Sequence, residues 1–320
     1  MSNTNCSINE RIVDMAMPCL YFLLFLPGLL LNGMAAWISL RLPEKSTFTV
    51  YLKNLVAADL LMTLCIPLKA TSDLHKAPVW LKAFACRYST VLFYFSMYIS
   101  ILLMGVISLD RYLKIVRSSR RFFCQNLTFS RVLSTSLWIM LFCATGLPTM
   151  VLTNRPLINI TSEYCMSQKG DAGKKLHKGV TYGCIVMFCV VCILIIFCYI
   201  CITRTILQSY RNSKCNKDGV SHKTKARVFI ILAVFLICFF PYHALRIPYT
   251  LFQMDRTDSC KEAALRVTKK VLLWLSSTNI CLDPLIYFFL CRSFREKVLE
   301  TWICRTLSPV FVSSSNETSL

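Results

Sequence analysis

The sequence predicts an all-α membrane protein, with a bundle of seven membrane-spanning helices and a short amphipathic eighth helix. Apolar residues make up 55% of the 320 and charged residues only 16%, whereas soluble domains are about 45–50% apolar and about 25% charged. Apolar runs that could cross a bilayer recur seven times. The net charge of +20 would suit a nucleic-acid-binding protein, but the apolar runs exclude one. Too few polar residues remain to cover a soluble enzyme.

The seven predicted spans are spread along most of the chain. They cover residues 15–40, 54–68, 88–109, 132–154, 179–203, 228–245 and 271–291. The second and sixth uncharged runs are short, so we expect these helices to continue into polar ends whose Lys and Arg side chains reach towards water. Strands are excluded because the runs do not alternate and lipid tolerates no open sheet edge. The expected divisions are an N-terminal segment (1–14), the bundle (15–291), and the eighth helix with a tail (292–320).

The cysteines and glycosylation sequons favour an extracellular N-terminus. With that orientation, four of the 18 cysteines lie near the outer face: Cys6, Cys86, Cys165 and Cys260. An even number can form two disulfides in an oxidising compartment. The sequons at Asn5 and Asn159 lie on the same side and are predicted glycosylation sites. The distribution of Lys and Arg agrees, although the bias is small. We therefore expect a multi-pass plasma-membrane protein.

Three carboxylates interrupt the predicted spans. They are Asp59 in the second span, Asp110 at the end of the third and Asp283 in the seventh. A carboxylate in a span costs about 2.5–3.5 kcal/mol on insertion scales and indicates a functional site by default. Any one of them alone is as often a hydrogen-bonded structural group. Their occurrence together in these three spans is more specific.

Polar and proline motifs follow one another along the spans. In order they are Asn32, Asp59, Asp110-Arg111-Tyr112, Trp138, Phe235-x-x-Cys238-Phe-x-Pro241 and Asp283-Pro284-x-x-Tyr287. This series resembles the rhodopsin-like G-protein-coupled receptors over the whole chain. It departs from many members at Phe239, where Trp is common, and at Asp283, where Asn is usual. Both departures are shared by the nucleotide and lipid branch of that family.

The resemblance implies an activation switch and an ion site. Arg111 is expected to hold Asp110 in the resting state and to move towards a G protein in the active state. The implied switch residues are Asp110, Arg111, Tyr112, Pro241, Asp283, Pro284 and Tyr287. The implied site for an allosteric Na⁺ consists of Asp59, Ser100, Asn279 and Asp283, which offer the oxygen ligands that a hard cation takes. No other cofactor is expected.

The predicted outer face is rich in cations. Arg246 lies in the outer half of the sixth span, and Lys269 and Lys270 begin the seventh. Five more basic or His residues precede the fifth span: Lys169, Lys174, Lys175, His177 and Lys178. They could be solvated loop charges, or they could attract and bind an anion. Tyr94 and Tyr98 share one face of the third span and could either pack or stack a nucleobase.

Three sequence runs narrow the resemblance further. Residues 46–54, 86–98 and 240–250 look like those of the metabotropic purinergic (nucleotide) receptors, closest to the subgroup that responds to ADP or UDP-sugars and couples to inhibitory G proteins. The implied ligand-binding residues are Tyr94, Tyr98, Lys169, His177, His243, Arg246, Tyr249, Gln253 and Lys269. The implied disulfides are Cys86–Cys165 and Cys6–Cys260.

Two residues depart from the usual pattern of that subgroup. Lys270 stands where Glu is usual, and the additional cation is expected to favour more phosphate charge. Thr181 stands where Asn is usual, and its lack of an amide could alter recognition of the base. The identity of the agonist therefore does not follow from the resemblance.

The C-terminal region carries two further motifs. Residues 293–304 alternate charged and apolar side chains at helical spacing, which predicts an amphipathic helix on the membrane surface. Cys304 is a candidate for palmitoylation, although a free thiol is an equal alternative. The ending Thr318-Ser319-Leu320 could add as a strand to a PDZ domain.

These observations predict a receptor for an extracellular nucleotide, ADP first and a UDP-sugar second, that activates an inhibitory heterotrimeric G protein and lowers cAMP. Arrestin is a further expected partner, and no nucleic acid is. An enzyme is not expected because the sequence lacks a metal-ligand cluster, a phosphate loop and a nucleophile motif. One alternative is a receptor for an anionic lysolipid. Another is a transporter or channel, but three carboxylates within the predicted spans are weak support for such a protein.

Overall fold

The structure is a computed structural model that describes residues 10–74, 76–117, 126–156, 164–212, 218–252, 259–290 and 294–300. Within these residues seven helices are long and apolar enough to cross a membrane. They are α1 (Glu10–Arg41), α2 (Thr47–Asp73), α3 (Val79–Val116), α4 (Leu127–Leu152), α5 (Asp171–Asn212), α6 (Asp218–Phe252) and α7 (Ser259–Ser277, continued by Asn279–Leu290). The only strand-like feature of this part of the chain is an isolated bridge between Thr153 and Lys169. The predicted fold class is confirmed.

The helices extend further than the apolar runs that predicted them. α2 begins at Thr47 and α6 runs from Asp218 to Phe252, so the expected extension of these two helices is confirmed. α3, α5 and α7 were predicted too short, because α3 begins at Val79, α5 continues to Asn212 and α7 begins at Ser259. The physical reason is that hydropathy detects the part of a helix inside the hydrocarbon layer, while backbone hydrogen bonding continues into the polar region on either side.

α3 lies at the centre of the bundle. Most of its side chains between Phe93 and Asp110 are buried, including several with no exposed surface. In α4, by contrast, the buried residues are Ser130, Ser134 and Gly146, so this helix lies at the periphery. An outer helix turns its apolar side chains to lipid, which gives them no reason to be buried by protein.

Close backbone contacts and polar groups join the helices. Asn32 of α1 donates to the carbonyl oxygen of Ile280 in α7 at 2.6 Å. A Cβ atom on Gly28 would lie 2.9 Å from Ile280 Cδ1, so the absence of a side chain allows this approach. Trp138 Nε1 of α4 donates to Asn54 Oδ1 of α2 at 3.1 Å. Asn32 and Trp138, two residues of the motif series, therefore connect neighbouring helices.

The eighth helix begins directly after α7. Residues 294–300 are helical, and Phe294 is buried with its ring edge-to-face against Tyr287 of α7 at a centroid distance of 6.2 Å. This contact fixes the start of the segment to the bundle. Cys304 and the ending Thr318–Leu320 lie outside the described residues, so lipidation and PDZ binding stay predictions.

A disulfide between Cys86 and Cys165 marks one end of the bundle, which we call the disulfide end. The opposite end carries Asp110 and is called the Asp110 end. The disulfide joins the start of α3 to the segment before α5, as the resemblance implied. The second implied pair lies outside the description, because Cys6 and the side chain of Cys260 are not among the described groups. The sequons at Asn5 and Asn159 lie outside it as well.

Candidate ligand-binding site

Arg246 of α6 is held inside the disulfide end by two hydroxyl groups. Its Nη1 donates to Tyr242 Oη at 2.9 Å, and its Nη2 donates to Thr181 Oγ1 of α5 at 3.2 Å. The guanidinium carbon lies 5.9 Å from the ring centroid of Tyr94 in α3. Nε is buried and has no hydrogen-bond partner among the described residues. The side chain thus keeps unused donor capacity, and its hydrogen-bond partners are neutral.

Lys169 brings a second cation to the same region. It is 8% exposed, and its Nζ lies 3.1 Å from His177 Nδ1. The backbone bridge to Thr153 and the nearby disulfide at Cys165 fix the segment that carries it. Burial lowers the pKa of Lys169 to about 8, and the positive charge of Arg246 adds to this effect. The amine therefore lies within electrostatic reach of the guanidinium.

The two cations have no carboxylate partner. In the described part of the chain, Arg246 hydrogen-bonds to hydroxyl groups and Lys169 contacts an imidazole, and neither takes part in an ion pair. Burying like charges near one another is unfavourable unless an anion offsets the desolvation and the repulsion. The arrangement is therefore chemically suited to bind a ligand with concentrated negative charge.

Aromatic rings lie beneath this cation pair. The imidazole of His243 stacks on Phe188 with a centroid distance of 3.8 Å, and Tyr98 meets it edge-on at 5.7 Å. His243 Nδ1 hydrogen-bonds to the carbonyl oxygen of Phe239 at 2.8 Å. Tyr98 is 7% exposed, whereas Tyr94 one turn away is only half-buried. Tyr94 is therefore the ring more available to a ligand, and Tyr98 belongs to the packed layer below.

The two lysines at the start of the apolar part of α7 have different surroundings. Lys269 Nζ lies 4.2 Å from the ring centroid of Tyr249 in α6. Lys270 Nζ forms an ion pair with Asp14 of α1 at 2.5 Å. Both lysines therefore lie at the disulfide end, Lys269 against an aromatic ring of α6 and Lys270 against a carboxylate of α1.

A buried polar cluster lies in the middle of the bundle. Asp59 accepts hydrogen bonds from Ser100 Oγ at 3.1 Å and from Tyr287 Oη at 2.6 Å. Asn279 Nδ2 lies 3.4 Å from Asp283 Oδ2. The remaining oxygens, Asn279 Oδ1 and Asp283 Oδ1, are buried and have no hydrogen-bond partner among the described residues. Three helices thus place two carboxylates, an amide and two hydroxyl groups together.

At the opposite end, Asp110 links α3 to α2. Its Oδ1 accepts a hydrogen bond from Thr47 at 2.6 Å, and its Oδ2 pairs with Lys114 at 2.7 Å. Lys114 lies four residues further along α3, on the same helical face. The guanidinium carbon of Arg111 lies 4.0 Å from the ring centroid of Phe48.

A second ionic cluster joins the loop before α2 to α4. Glu44 accepts from Lys53 at 3.2 Å through Oε1 and pairs with Arg131 at 2.8 Å through Oε2. The hydrogen bonds from Arg131 and Lys53 lower the pKa of Glu44 below its ordinary value. The carboxylate is therefore ionised at neutral pH and ties α2 to α4.

Comparison with known proteins agrees with this architecture. The model of the 7 transmembrane receptor (rhodopsin family) matches residues 31–287. The chain belongs to this receptor family. The match runs from the residue before Asn32 to Tyr287 and so includes both the central polar cluster and the cation pair. A receptor of this family is not an enzyme.

Among the relatives of this receptor are two purinoceptors. Purinoceptor 13 of Homo sapiens is 42% identical over 92% of this chain and 83% of its own length. Purinoceptor 14 of Bos taurus is 43% identical over 91% of this chain and 87% of its own. G-protein coupled receptor 87 of Mus musculus is 38% identical over 95% of this chain and 85% of its own. The receptor is therefore a multi-pass plasma-membrane protein of the purinoceptor type.

The structure brings most of the expected ligand-binding residues of the receptor to one region. Arg246, Tyr94 and Tyr98 are joined through the guanidinium and its aromatic neighbours, and Lys169 contacts His177. His243 lies deeper, where it is 2% exposed and packs against Tyr98. The contact of Tyr249 with Lys269 adds the α7 side. The remaining predicted residue, Gln253, lies outside the described residues.

Two expectations require correction. Arg111 was expected to hold Asp110, but the carboxylate takes Thr47 and Lys114 as its partners, because both reach it directly from α2 and from the next turn of α3. Lys270 was expected to add a cation for phosphate, but its pairing with Asp14 removes that charge from the site. The sequence showed neither pairing, since Thr47 and Asp14 are distant in the chain.

Lys69 of α2 is a buried cation that the sequence reasoning missed. It is 9% exposed, pairs with Asp73 at 2.9 Å, and its Nζ lies 4.7 Å from the ring centroid of Tyr21 in α1. The signal was present, because Lys69 and Asp73 are spaced four residues apart at the end of an apolar span. Lys69 adds a charged group to the α1–α2 side of the disulfide end.

Proposed function

We propose that this protein is a receptor for an extracellular nucleotide, with ADP as the first candidate agonist and a UDP-sugar as the second. Agonist binding activates an inhibitory heterotrimeric G protein and lowers cAMP. The disulfide end, together with the N-terminus, faces the outside of the cell. Two relatives that are named purinoceptors support this ligand class, since they are 42% and 43% identical to most of this chain.

The observation that carries this proposal is that half-buried Arg246 and buried Lys169 lie in one region without a carboxylate partner in the described part of the chain. Phosphate groups satisfy both cations at once. The guanidinium offers parallel N–H donors that match two phosphate oxygens, and the ammonium acts as a point charge. In this proposal Lys269 meets the phosphates from α7, where it already lies beside Tyr249.

Tyr94 is the proposed stacking partner of the base. Its ring is half-buried, and Arg246 lies near it, so a ligand could place its phosphates and its base on adjacent groups. Aromatic faces stack well on purine and pyrimidine rings. Thr181 contributes indirectly, because its hydroxyl accepts a hydrogen bond from Arg246 and thereby orients the guanidinium.

Binding is expected to move α6, because the cations come from separate elements. Arg246 belongs to α6, Lys169 to the segment before α5 and Lys269 to α7. A phosphate chain that contacts all three favours the helix packing in which they lie closest together. Pro241 lacks a backbone N–H and so weakens the hydrogen-bonding ladder of α6 between this site and the Asp110 end. The agonist thus shifts the population towards an active packing that binds the G protein.

A Na⁺ ion at the central polar cluster would oppose this shift. The donor set fits a hard cation, since Asp59 and Asp283 are carboxylates and Ser100 and Asn279 supply neutral oxygens. Asn279 Oδ1 and Asp283 Oδ1 are buried, have no hydrogen-bond partner among the residues that the structure describes, and have capacity for a ligand. A bound cation would offset the repulsion between two buried carboxylates and so stabilise the resting packing.

The remaining partners follow from the family and from motifs outside the described residues. Arrestin is a proposed partner of the activated receptor. The proposed modifications are N-linked glycans at Asn5 and Asn159 and a palmitoyl group at Cys304, and the proposed tail contact is a PDZ domain at Thr318–Leu320.

A cellular screen tests the proposed function. Cells expressing the receptor are stimulated with forskolin, treated with ADP, ATP, UDP or UDP-glucose, and assayed for cAMP. A nucleoside diphosphate or UDP-sugar is expected to suppress cAMP, and pertussis toxin is expected to abolish the response. Activation by an anionic lysolipid in the absence of any nucleotide response would contradict the proposal, as would suppression of cAMP that persists after toxin treatment.

A further inference from the structure

A cleft separate from the candidate ligand-binding site lies on the surface of the disulfide end, between the start of α3 and the end of α4. It has a volume of about 220 Å³ and is lined by Ala83, Phe84, Arg87, Tyr88, Thr153, Asn154, Arg155 and Gln168. Neither the cation pair nor any of the predicted ligand-binding residues belongs to its lining. Gln168 forms part of the cleft wall, and it directly precedes Lys169 in the sequence.

The polar lining of this cleft is cationic. Arg87 and Arg155 line it, and no Asp or Glu does among the described residues. Arg87 donates its Nε to the carbonyl oxygen of Met150 at 3.0 Å, which anchors the side chain to α4 and leaves its terminal nitrogens available. The guanidinium of Arg155 has no hydrogen bond or ion pair with any residue that the structure describes. Two guanidinium groups around one cleft offer the paired donors that bind a phosphodiester.

Exposed aromatic side chains lie along the rim of the cleft. Phe84 and Tyr88 are 44% and 37% exposed, and their rings lie 5.1 Å apart on the outer surface of α3. Trp80, one turn before them, is 70% exposed. Exposed Trp and Tyr residues are typical of the zone where a membrane-spanning helix leaves the hydrocarbon layer. The cleft therefore combines a cationic lining with an aromatic rim, the combination that a phospholipid requires.

We infer that this cleft is a binding site for a membrane phospholipid, with the phosphodiester between Arg87 and Arg155 and an acyl chain along Phe84 and Tyr88. A soluble phosphate could satisfy the two guanidinium groups equally well, but it would gain nothing from the exposed aromatic rim. The inference rests on the cleft itself and does not depend on the proposed nucleotide function. Because Gln168 precedes Lys169, an occupied cleft would also stabilise the position of that segment.

Native mass spectrometry of the purified full-length receptor tests this site. Dioleoyl phosphatidylserine is titrated against the wild type and against Arg155→Gln, Arg87→Gln and the double variant. Each cation near a membrane surface contributes about 1 kcal/mol to the binding of anionic lipid, so we expect about fivefold weaker binding for each single variant and about 25-fold for the double variant. Arg155 is exposed and Gln keeps its polarity, so this variant should fold normally. Lys175→Gln removes an exposed charge from the same end and is expected to leave binding unchanged.

Two further measurements distinguish the possible sources of the phosphate group. Glycerophosphoserine and inorganic phosphate, which have no acyl chains, are expected not to displace the lipid. Tyr88→Ala is expected to weaken lipid binding with both arginines in place. Equal binding by wild type and double variant would overturn the inference. Displacement by either soluble phosphate at concentrations similar to the lipid would also overturn it, because the site would then be one for a soluble anion.

Discussion

At the scale of single residues, the two cations of the proposed binding site are held in place by neutral hydrogen-bonding groups. Arg246 is oriented by Tyr242 and Thr181, and Lys169 by His177. These partners fix the direction of each side chain without cancelling its charge. An anionic ligand can then supply the negative charge that the described residues do not place beside these cations, which makes binding and charge neutralisation the same event.

The protonation of Lys169 should make nucleotide affinity depend on pH. A pKa of about 8 means that the amine is charged at pH 7 and neutral at pH 9 in the free receptor. A bound phosphate raises that pKa, so we expect affinity to fall about tenfold between pH 7 and pH 9. Radioligand binding to membranes at several pH values measures this. Lys169→Arg keeps its charge over the whole range and should flatten the curve, whereas an equal pH dependence in the variant would exclude Lys169 as the cause.

The neighbouring residues Lys269 and Lys270 provide a matched pair of substitutions. Lys269 lies beside Tyr249 at the disulfide end, while Lys270 is neutralised by Asp14. Lys269→Ala is expected to reduce agonist potency about tenfold or more, because it removes a cation from the phosphate site. Lys270→Ala is expected to change potency less than twofold. Concentration–response curves for cAMP at matched surface expression test both, and a larger loss for Lys270→Ala would reverse the assignment.

At the scale of helices, ion pairs near the ends of the loops join neighbouring helices. Glu44 connects Lys53 of α2 to Arg131 of α4, on the helix with the fewest buried side chains. Such exposed pairs contribute little individually. Here one carboxylate serves two cations, so its loss affects the junction between two helices.

Acid should weaken this junction. Because the folded state lowers the pKa of Glu44, the carboxylate stabilises the protein above its ordinary pKa, and this contribution is lost as the pH falls through the lowered value. Glu44→Gln is expected to reduce the melting temperature by about 2 °C at pH 7. The difference from wild type should shrink below pH 4. A difference that is constant over this range would show that the charge of Glu44 contributes nothing.

The sequence predicted the number and order of the helices because apolar length and the motif series are local signals. It underestimated α3, α5 and α7, since hydropathy reports the lipid layer and not the ends of the hydrogen-bonded helix. It also predicted that Arg246 and Tyr94 belong to one region, and the structure places the guanidinium carbon 5.9 Å from the centroid of the Tyr94 ring. It could not show the Lys270–Asp14 pair or the hydrogen bond from Thr47 to Asp110, because these contacts depend on how distant segments meet in space.

At the scale of the whole molecule, the central cluster around Asp59 lies between the disulfide end and the Asp110 end. This cluster joins α2, α3 and α7 through Ser100 and Tyr287, and Tyr287 contacts Phe294 at the start of the eighth helix. We expect a change in helix packing at the disulfide end to reach the Asp110 end through these contacts, as a shift between two packings of the bundle.

The proposed Na⁺ site gives this switch a measurable ion dependence. In wild-type membranes, NaCl is expected to lower agonist affinity several-fold relative to the same concentration of N-methyl-D-glucamine chloride, because Na⁺ stabilises the resting packing. Asp59→Asn removes one carboxylate and should abolish the difference. Antagonist binding in the variant checks its folding. Retention of the full sodium effect in Asp59→Asn would contradict the assignment of the site.

The central claim is that Arg246 binds the phosphate groups of a nucleotide. Its most direct test compares ligands with different numbers of phosphate groups on receptors with and without Arg246. The affinities of ADP, AMP and adenosine are measured on purified wild-type receptor and on Arg246→Ala, with Lys175→Ala as the control. We expect the wild type to bind ADP at least about 30-fold more tightly than adenosine, and Arg246→Ala to lose most of this preference. The same series with UDP-glucose, UMP and uridine tests the second candidate agonist. A wild-type receptor that binds nucleosides as tightly as nucleotides, or an Arg246→Ala variant with an unchanged preference, would contradict the account.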